Sequence, residues 1–373
     1  MCCPLLCVPL FCGGFDILIA MTKETRHATL YRAYRPEKFE DVRGQGHIVR
    51  VLEGAIRNKK IAHAYLFAGG RGTGKTTVAR IVARSIGVSA KDLYEMDAAS
   101  NRRIEDVREL REGVWALPFE SPYKLYIINE AHMLTKEAWN AFLKTLEEPP
   151  SHCIFILATT ELEKIPETIQ SRCEIYAFKL PSLATLAETV ADVAKKEGFT
   201  LEKSAAELVA LLAEGSFRDA LGILQKVLAT SNDRGVDVSE VEEVTGAPKG
   251  ELVRRLLGAL AKKDAAKAIE AIRAAVSDNL DARILAKLLI FRCRAILLAR
   301  HAPEIAESFL SELAEPDVAL AKELVKEKGI TSDTLRALLD AYAQMGYATL
   351  PHLPLELAII DACVAGDMHN PAS

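Results

Sequence analysis

The sequence predicts an α/β domain with a parallel sheet, built around a phosphate-binding loop and followed by two all-helical domains. Three observations carry this. Short apolar strand candidates alternate with helical patterns from about Tyr31 to Leu180, the mark of parallel strands joined by crossover helices. The run "GGRGTGKT" at Gly69–Thr76 matches G-x-x-x-x-G-K-[ST], with a strand before it and a helix after it. From Ser182 strand signals vanish and Ala/Leu-rich helical periods take over.

The bulk numbers agree with such a chain. Its 373 residues allow two or three domains. Half of them are apolar (50%) and 26% are charged, as in soluble globular proteins. A net charge of −4 argues against a basic coat over the whole surface and leaves room for a local basic patch. Of eight cysteines, Cys2, Cys3, Cys7 and Cys12 crowd the first dozen residues, and Cys153, Cys173, Cys293 and Cys363 stand singly. No C-x-x-C pair exists, so a zinc ribbon is excluded. Dispersed cysteines suit a reducing, cytoplasmic setting.

The first twenty residues are apolar, but no Lys or Arg precedes them and Pro4, Pro9, Gly13, Gly14 and Asp16 interrupt them. Residues 1–21 read as an unstructured or spurious extension, with Met21 as the working start. A lipid-modified or tethered N-terminus and a genuine disordered leader are the alternatives. No membrane partner is expected.

In chain order, strands are expected at Ala64–Ala68, Tyr94–Met96, Leu125–Ile128, Cys153–Ala158 and Glu174–Phe178. Each is short and continuously apolar, as strands buried on both faces should be. Pro181 closes the α/β domain, which spans 22–181. The helical domain over 182–246 contains "SAAELVALLAEG", with Ser204 and Glu207 in capping-box spacing and Gly215 as its stop. "SFRDALGILQKVLA" follows with Ser216 as its cap, and "TSNDRGVDVSE" reads as a loop. "APKG" at Ala247–Gly250 marks a boundary; a second helical domain covers 247–365, and 366–373 is a frayed tail.

The glycine spacing has a chemical purpose. Gly69, Gly70, Gly72 and Gly74 let the backbone curl, with Arg71 and Thr73 between them, so that successive N–H groups converge on phosphate oxygens. The following helix adds the partial positive charge of its N-terminus. Lys75 is expected to reach the outer phosphates, and the Thr76 hydroxyl can ligate Mg²⁺. Such a site needs a second strand that delivers acids, and "LYIINE" supplies one. Glu130 stands where a base would orient water against the γ-phosphate; a surface acid at a strand end is the plainer explanation. Asn129 stands where the metal-side carboxylate belongs. An amide oxygen still accepts from a metal-bound water but brings no charge. ATP binding is therefore expected, with hydrolysis reduced by Asn129.

Six ordered blocks carry a resemblance: "YRAYRPEKFEDVRGQ", "HAYLFAGGRGTGKTTVARIVA", "DAASNRRIEDVRELRE", "YIINEAHMLTKEAWNAFLKTLEEPP", "FILATTELEKIPETIQSRC" and "GSFRDAL". Together they resemble the bacterial DNA polymerase III gamma/tau subunit, the ATP-driven part of the sliding-clamp loader. The likeness covers roughly Leu30 to Leu221; beyond it only length and class agree. It implies an AAA+ module, a helical lid and a helical collar that joins subunits into a ring. It also implies roles. Thr160 would sense the γ-phosphate, Arg172 would be the finger reaching a neighbour's ATP site, and Arg218 the lid arginine that closes on the nucleotide. Arg35 and Pro36 would border the nucleotide and Val42 the adenine. Local physics adds that Arg218, in a first helical turn, opposes the helix dipole by about 0.3–1 kcal/mol, which an anionic partner would explain. Arg172 precedes a strand in a loop free to project. A solvated arginine explains either residue without function.

Three departures from the family matter. Its four-cysteine module is absent between the loop helix and "DAAS", so no zinc is expected. Asn129 replaces the family's Asp. The sequence ends after the collar-length segment, and a gamma-length form is expected. The resemblance implies other clamp-loader subunits (delta, delta-prime and further gamma copies), the sliding clamp and primer–template DNA as partners. Candidate DNA-backbone contacts are Arg102 and Arg103 in "SNRR" and Lys144 in "FLKTLEEPP", with a solvated basic face as the competing explanation. Two functions follow: a motor ATPase that opens and loads the clamp, with Glu130, Lys75 and Arg172 as its catalytic groups, or an ATP-holding stator with weak or no hydrolysis.

Overall fold

The computed structural model describes residues 29–364 apart from 101–109, 111, 232, 279 and 311–314. The expected N-terminal extension, the tail at 366–373, and both Arg102 and Arg103 lie outside the described residues.

Five parallel strands form one sheet: β1 (Ala64–Gly69), β2 (Leu93–Asp97), β3 (Lys124–Asn129), β4 (Cys153–Thr159) and β5 (Glu174–Phe178). Their order is β2-β3-β4-β1-β5, so the phosphate-loop strand lies inside the sheet beside β4. The period of two sorts side chains between two faces. Tyr65, Phe67, Leu125 and Ile127 pack on one side with Val78, Ile81 and Val82 of α3 (Lys75–Ser85) and with Ile48 and Leu52 of α2 (Gly46–Arg57). Leu66, Ile128, Phe155 and Leu157 pack on the other with Trp139 and Phe142 of α4 (Lys136–Glu147). Thr135 caps α4 by accepting from the Ala138 N–H.

β1, β3 and β4 are buried along their length, as their apolar runs predict. β2 and β5 are not: both are edges and both are largely open. An edge strand is covered only in part, so Leu93 and Phe178 face the core while Tyr94 and Ile175 are exposed.

After α5 (Glu167–Gln170), a helical layer follows: α6 (Leu183–Lys196), α7 (Lys203–Leu212), α8 (Phe217–Thr230) and α9 (Val238–Thr245). Its core gathers Leu186, Val190, Val209, Leu224 and Val227. The short α1 (Leu30–Ala33) belongs to the same core through Leu30, whose N–H donates to Gln225 Oε1 at 2.9 Å. Two expectations fail here. Ser204 does not cap α7; the N-cap is Glu202, Ser204 Oγ is buried without a partner among the described residues, and Glu207 pairs with Lys203. "TSNDRGVDVSE" is not all loop: Gly235–Val236 (β7) pairs in parallel with Thr200–Leu201 (β6), and Asp237 caps α9 in a reciprocal capping box. A two-residue strand is too short to show a period, and Ser204 lies inside α7 as its second residue, past the position from which a side chain caps.

Helices α10 (Gly250–Ala261), α11 (Ala265–Ser277), α12 (Ala282–His301), α13 (Pro303–Leu310), α14 (Glu315–Leu324), α15 (Ser332–Gln344) and α16 (Leu353–Val364) follow around a separate core that includes Leu256, Ile272, Leu289 and Ile359. Among the described residues no helix is long and apolar enough to cross a membrane.

Candidate nucleotide site

The C-terminal ends of β1 and β3 and the helical layer above them enclose a cavity of about 570 Å³, within the range of small-molecule sites. Its lining comes from four directions. Arg35, Pro36 and Val42 come from the segment after α1, Arg71 to Thr76 from the loop after β1, and Arg218 from α8. Asn129 and Glu130 close it from the end of β3.

The loop is shaped by its glycines at two critical places. Gly69 (φ +149) carries no Cβ that would meet Phe178 O at 2.4 Å, so β1 and β5 can stay paired to the loop's start. Gly72 (φ +72) comes so close to Ser216 that a Cβ would lie 2.0 Å from its Oγ. Phe217 N–H donates to Gly72 O at 3.1 Å, and Ser216 caps α8 by accepting from Asp219 N–H. Thr73 is buried, with its hydroxyl donating to Gly70 O at 2.9 Å.

Gly69 and Gly70 are not among the lining residues and act through their carbonyls. Lys75 Nζ donates to both, at 2.7 and 2.8 Å. Burial pushes the Lys75 ammonium down to about 8; Glu130 opposes that shift and Arg218 adds to it. The group is thus a desolvated cation aimed at the loop interior. Arg35 is also held below its usual range, first by burial and then by Arg80. The cavity is a place where positive charge is crowded and an anion would relieve it.

Thr76 Oγ1 donates to Asn129 Oδ1 at 2.6 Å. Asn129 Nδ2 donates to Glu95 Oε1 at 3.0 Å, and Glu95 Oε2 accepts from Arg80. Thr76 and Asn129 present hard oxygen atoms beside the loop, the set Mg²⁺ takes together with phosphate oxygens and water. These residues fit that ion.

Glu130 has left-handed backbone angles (φ 48, ψ 44), a conformation that a non-glycine residue keeps only when its surroundings impose it. Its Oε2 accepts from Thr160 Oγ1 at 3.2 Å. His132, almost fully buried, lies between two acids, with Nδ1 3.6 Å from Glu130 Oε2 and Nε2 3.2 Å from Glu161 Oε1. The structure therefore brings Lys75, Thr76, Asn129, Glu130 and Thr160 together.

Arg218 lines the cavity with its guanidinium 5.6 Å from the centre of the Tyr31 ring. Its neighbour in the described structure is thus an aromatic face. Arg172 lies apart from the cavity lining. It does not project freely, contrary to expectation: it donates to Glu147 Oε1 and to Thr168 O, both at 2.7 Å. The short helix α5 ends just before it, and its last turn supplies the carbonyl that holds the side chain. Lys144 is exposed on α4, the helix that also carries Glu147. Burial pushes the Cys173 thiol up to about 12, as suits a packing residue.

Sequence reasoning missed Glu95, His132 and Tyr31. A period of two from Leu93 puts Glu95 on the α3 face, but the pairing of β2 with β3 that brings it to Asn129 is not readable from one strand.

The chain matches two family models: "DNA polymerase III, delta subunit" over residues 88–182, and "DNA polymerase III clamp loader subunit, ATPase lid domain" over 185–233. It is 35% identical over 362 residues to the DNA polymerase III subunit tau of Bacillus subtilis, covering 90% of this chain and 63% of that protein. It is 36% identical over 259 residues to the DNA polymerase III subunit gamma of Buchnera aphidicola subsp. Schizaphis graminum, covering 64% of this chain and 71% of that one. The chain thus spans less than two thirds of the length of the Bacillus relative. A variant of Thermotoga maritima RuvB aligns with a TM-score of 0.50 at 20% identity, over 77% of this chain and 91% of that one. At that identity the likeness is one of fold.

Proposed function

The chain belongs to the DNA polymerase III gamma/tau family, and on that premise we propose that it is an ATP-hydrolysing subunit of a sliding-clamp loader. The observation that carries the proposal is the cavity of an AAA+ fold in which Lys75, Thr76, Asn129, Glu130 and Arg218 converge on one space beneath the lid. In this reading the backbone N–H groups of Arg71 to Thr76 and the start of α3 receive the phosphates. Lys75 leaves the carbonyls of Gly69 and Gly70 to meet the outer phosphates. Arg218 follows from the lid side. Arg35, Pro36 and Val42 border the nucleoside. Glu130, steadied by Thr160, orients the attacking water. Mg²⁺, held by Thr76 directly and by Asn129 through water, would supply charge compensation at the phosphates.

The partners belong to the same proposal. Arg172 would reach the ATP site of a neighbouring clamp-loader subunit (delta, delta-prime or another gamma copy) once it leaves Glu147. The sliding clamp and primer–template DNA would be the load, with Lys144 as one backbone contact and Arg102 and Arg103 as others.

A second reading has one specific observation in its favour. Asn129 carries no charge at the metal side, so the subunit would hold ATP as a stator and hydrolyse it slowly. One assay separates the two. Phosphate release is followed with clamp, primed DNA and companion subunits present, for the natural chain beside Asn129→Asp. The motor reading expects stimulated turnover by the natural chain. Turnover that appears only in N129D supports the stator. A chain that takes up no ATP at millimolar Mg²⁺ sinks both.

A further inference from the structure

We propose that Glu95 is a positioning residue that fixes which end of the Asn129 amide faces Thr76. The inference rests on the Mg²⁺–ATP reading of the site. A carboxylate has two like ends, whereas an amide has two unlike ones, so replacing an acid by Asn129 creates an orientation problem. Thr76 does not solve it, because a hydroxyl pairs with either end of an amide. Glu95 does. Its Oε2 is taken by Arg80 at 2.7 to 2.8 Å, and its Oε1 lies 3.0 Å from Asn129. A carboxylate paired in this way has no proton to give and only accepts. Asn129 must therefore turn its Nδ2 to Glu95 and its Oδ1 to Thr76, where the 2.6 Å hydrogen bond is found. Reversed, the amide would set oxygen against oxygen at Glu95 and put two N–H groups on the cation side of Thr76.

The arrangement follows from the sheet. β2 and β3 run in parallel with Asp97 opposite Asn129, which puts Glu95 two residues back on the same face. Arg80 comes from α3, whose first residues follow directly on the phosphate loop. Glu95 is the neighbouring acid that makes an amide serviceable at position 129, by orienting it and not by touching the phosphates. The same closeness makes an acid at 129 awkward. Two carboxylates about 3 Å apart repel unless a cation or a proton intervenes.

The test uses E95Q, N129D and the double variant E95Q/N129D in the full chain. In E95Q the new side chain has one oxygen, and the Arg80 guanidinium claims it in a charge-assisted bond. Its NH2 group then faces position 129 and turns Asn129 round. In the double variant the carboxylate at 129 accepts from both the new amide and Thr76, and has no orientation to lose. The readout is binding of a fluorescent ATP analogue titrated with Mg²⁺ and, separately, in EDTA. We expect E95Q to weaken the apparent Mg²⁺ affinity by roughly tenfold, as loss of an outer-shell partner does, while affinity in EDTA stays within about twofold. In the N129D background E95Q should cost nothing or improve Mg²⁺ affinity. Removing Arg80 as well, in R80A/E95Q, frees the oxygen of the introduced amide for Asn129 and should recover part of the loss. Thermal unfolding of each variant reports its folding independently. An unchanged Mg²⁺ affinity in E95Q, or an equal loss with and without N129D, overturns the inference and leaves the ATP reading intact. No binding of the analogue by the natural chain in either condition overturns both.

Discussion

The backbone N–H of Phe217 donates to the carbonyl of Gly72 across 3.1 Å. That bond joins the first turn of α8 to the tip of the phosphate loop. It lies beside the place where Ser216 caps the same helix, and Arg218 follows one residue later. The lid and the loop therefore fit against one another, with Arg218 next in the chain to the residue that makes the bond.

Gly72→Ala should break this junction. A left-handed φ costs a residue with a Cβ about 1–2 kcal/mol, and here the added carbon would also overlap Ser216 Oγ at 2.0 Å. We expect a lower melting temperature and at least a roughly tenfold loss of ATP affinity, since about 1.4 kcal/mol is one decade. Ser216→Gly alone should be mild, because glycine is a tolerable cap, and should recover part of the loss in G72A/S216G. Thermal scans and nucleotide titration check this. Wild-type binding by G72A would show that the junction does not matter.

Much of this junction was legible before the structure. The loop, its helix and the cap at Ser216 are local patterns, each fixed by residues within a turn or two of one another. Strands β1, β3 and β4 were legible because burial on both faces forces continuous apolar runs. Edges were not, since openness at β2 and β5 depends on strand order, which the sequence does not carry. Glu95 and His132 escaped for the same reason: each is placed by the register of a neighbouring strand or turn. The tethering of Arg172 by Glu147 joins residues 25 positions apart, which no helical or strand period connects.

The protonation of Lys75 gives a pH signature. In the free chain burial holds its ammonium down to about 8, so above that pH the group is mostly neutral. Bound phosphates favour the charged form and raise its pKa. Binding should then take up a proton between pH 8 and the raised value. Affinity should be flat below about pH 8 and fall above it, by up to tenfold per unit. Calorimetry in two buffers of different ionisation heat measures the uptake directly. Lys75→Arg, whose guanidinium stays charged, should remove the pH dependence even if it weakens binding. No proton uptake at pH 8.5 would mean that Lys75 does not approach the phosphates.

Arg172 should separate binding from turnover. It lies apart from its own cavity and is tied to Glu147 and the Thr168 carbonyl. Arg172→Ala should leave ATP affinity of the isolated chain within about twofold, and stability within about 1 kcal/mol, because the ion pair is partly open to solvent. In an assembly with companion subunits the same variant should depress phosphate release by at least tenfold. Glu147→Ala should loosen Arg172, leaving it only the Thr168 carbonyl and the neighbouring Ser171 hydroxyl, and leave assembled turnover intact or raised. Equal loss of binding in the isolated chain would place Arg172 in its own site and refute the role across a subunit boundary.

In the proposed function Glu130 is the decisive acid. Its strained backbone, its hydrogen bond to Thr160 and its place beside Asn129 all suit a group held ready for a water molecule. Glu130→Gln keeps the shape and a hydrogen-bond acceptor but removes the base, so ATP binding should persist while turnover falls by about 10²–10⁴. Thr160→Val deletes the 3.2 Å bond to Glu130 Oε2 and leaves the carboxylate in place. Its loss should be smaller, and it should add little in E130Q/T160V, because both changes act through one carboxylate. If E130Q retains more than a tenth of the turnover, Glu130 is a structural acid and the attacking water is oriented by some other group. If the two losses add in full, Thr160 acts on the phosphate independently of Glu130.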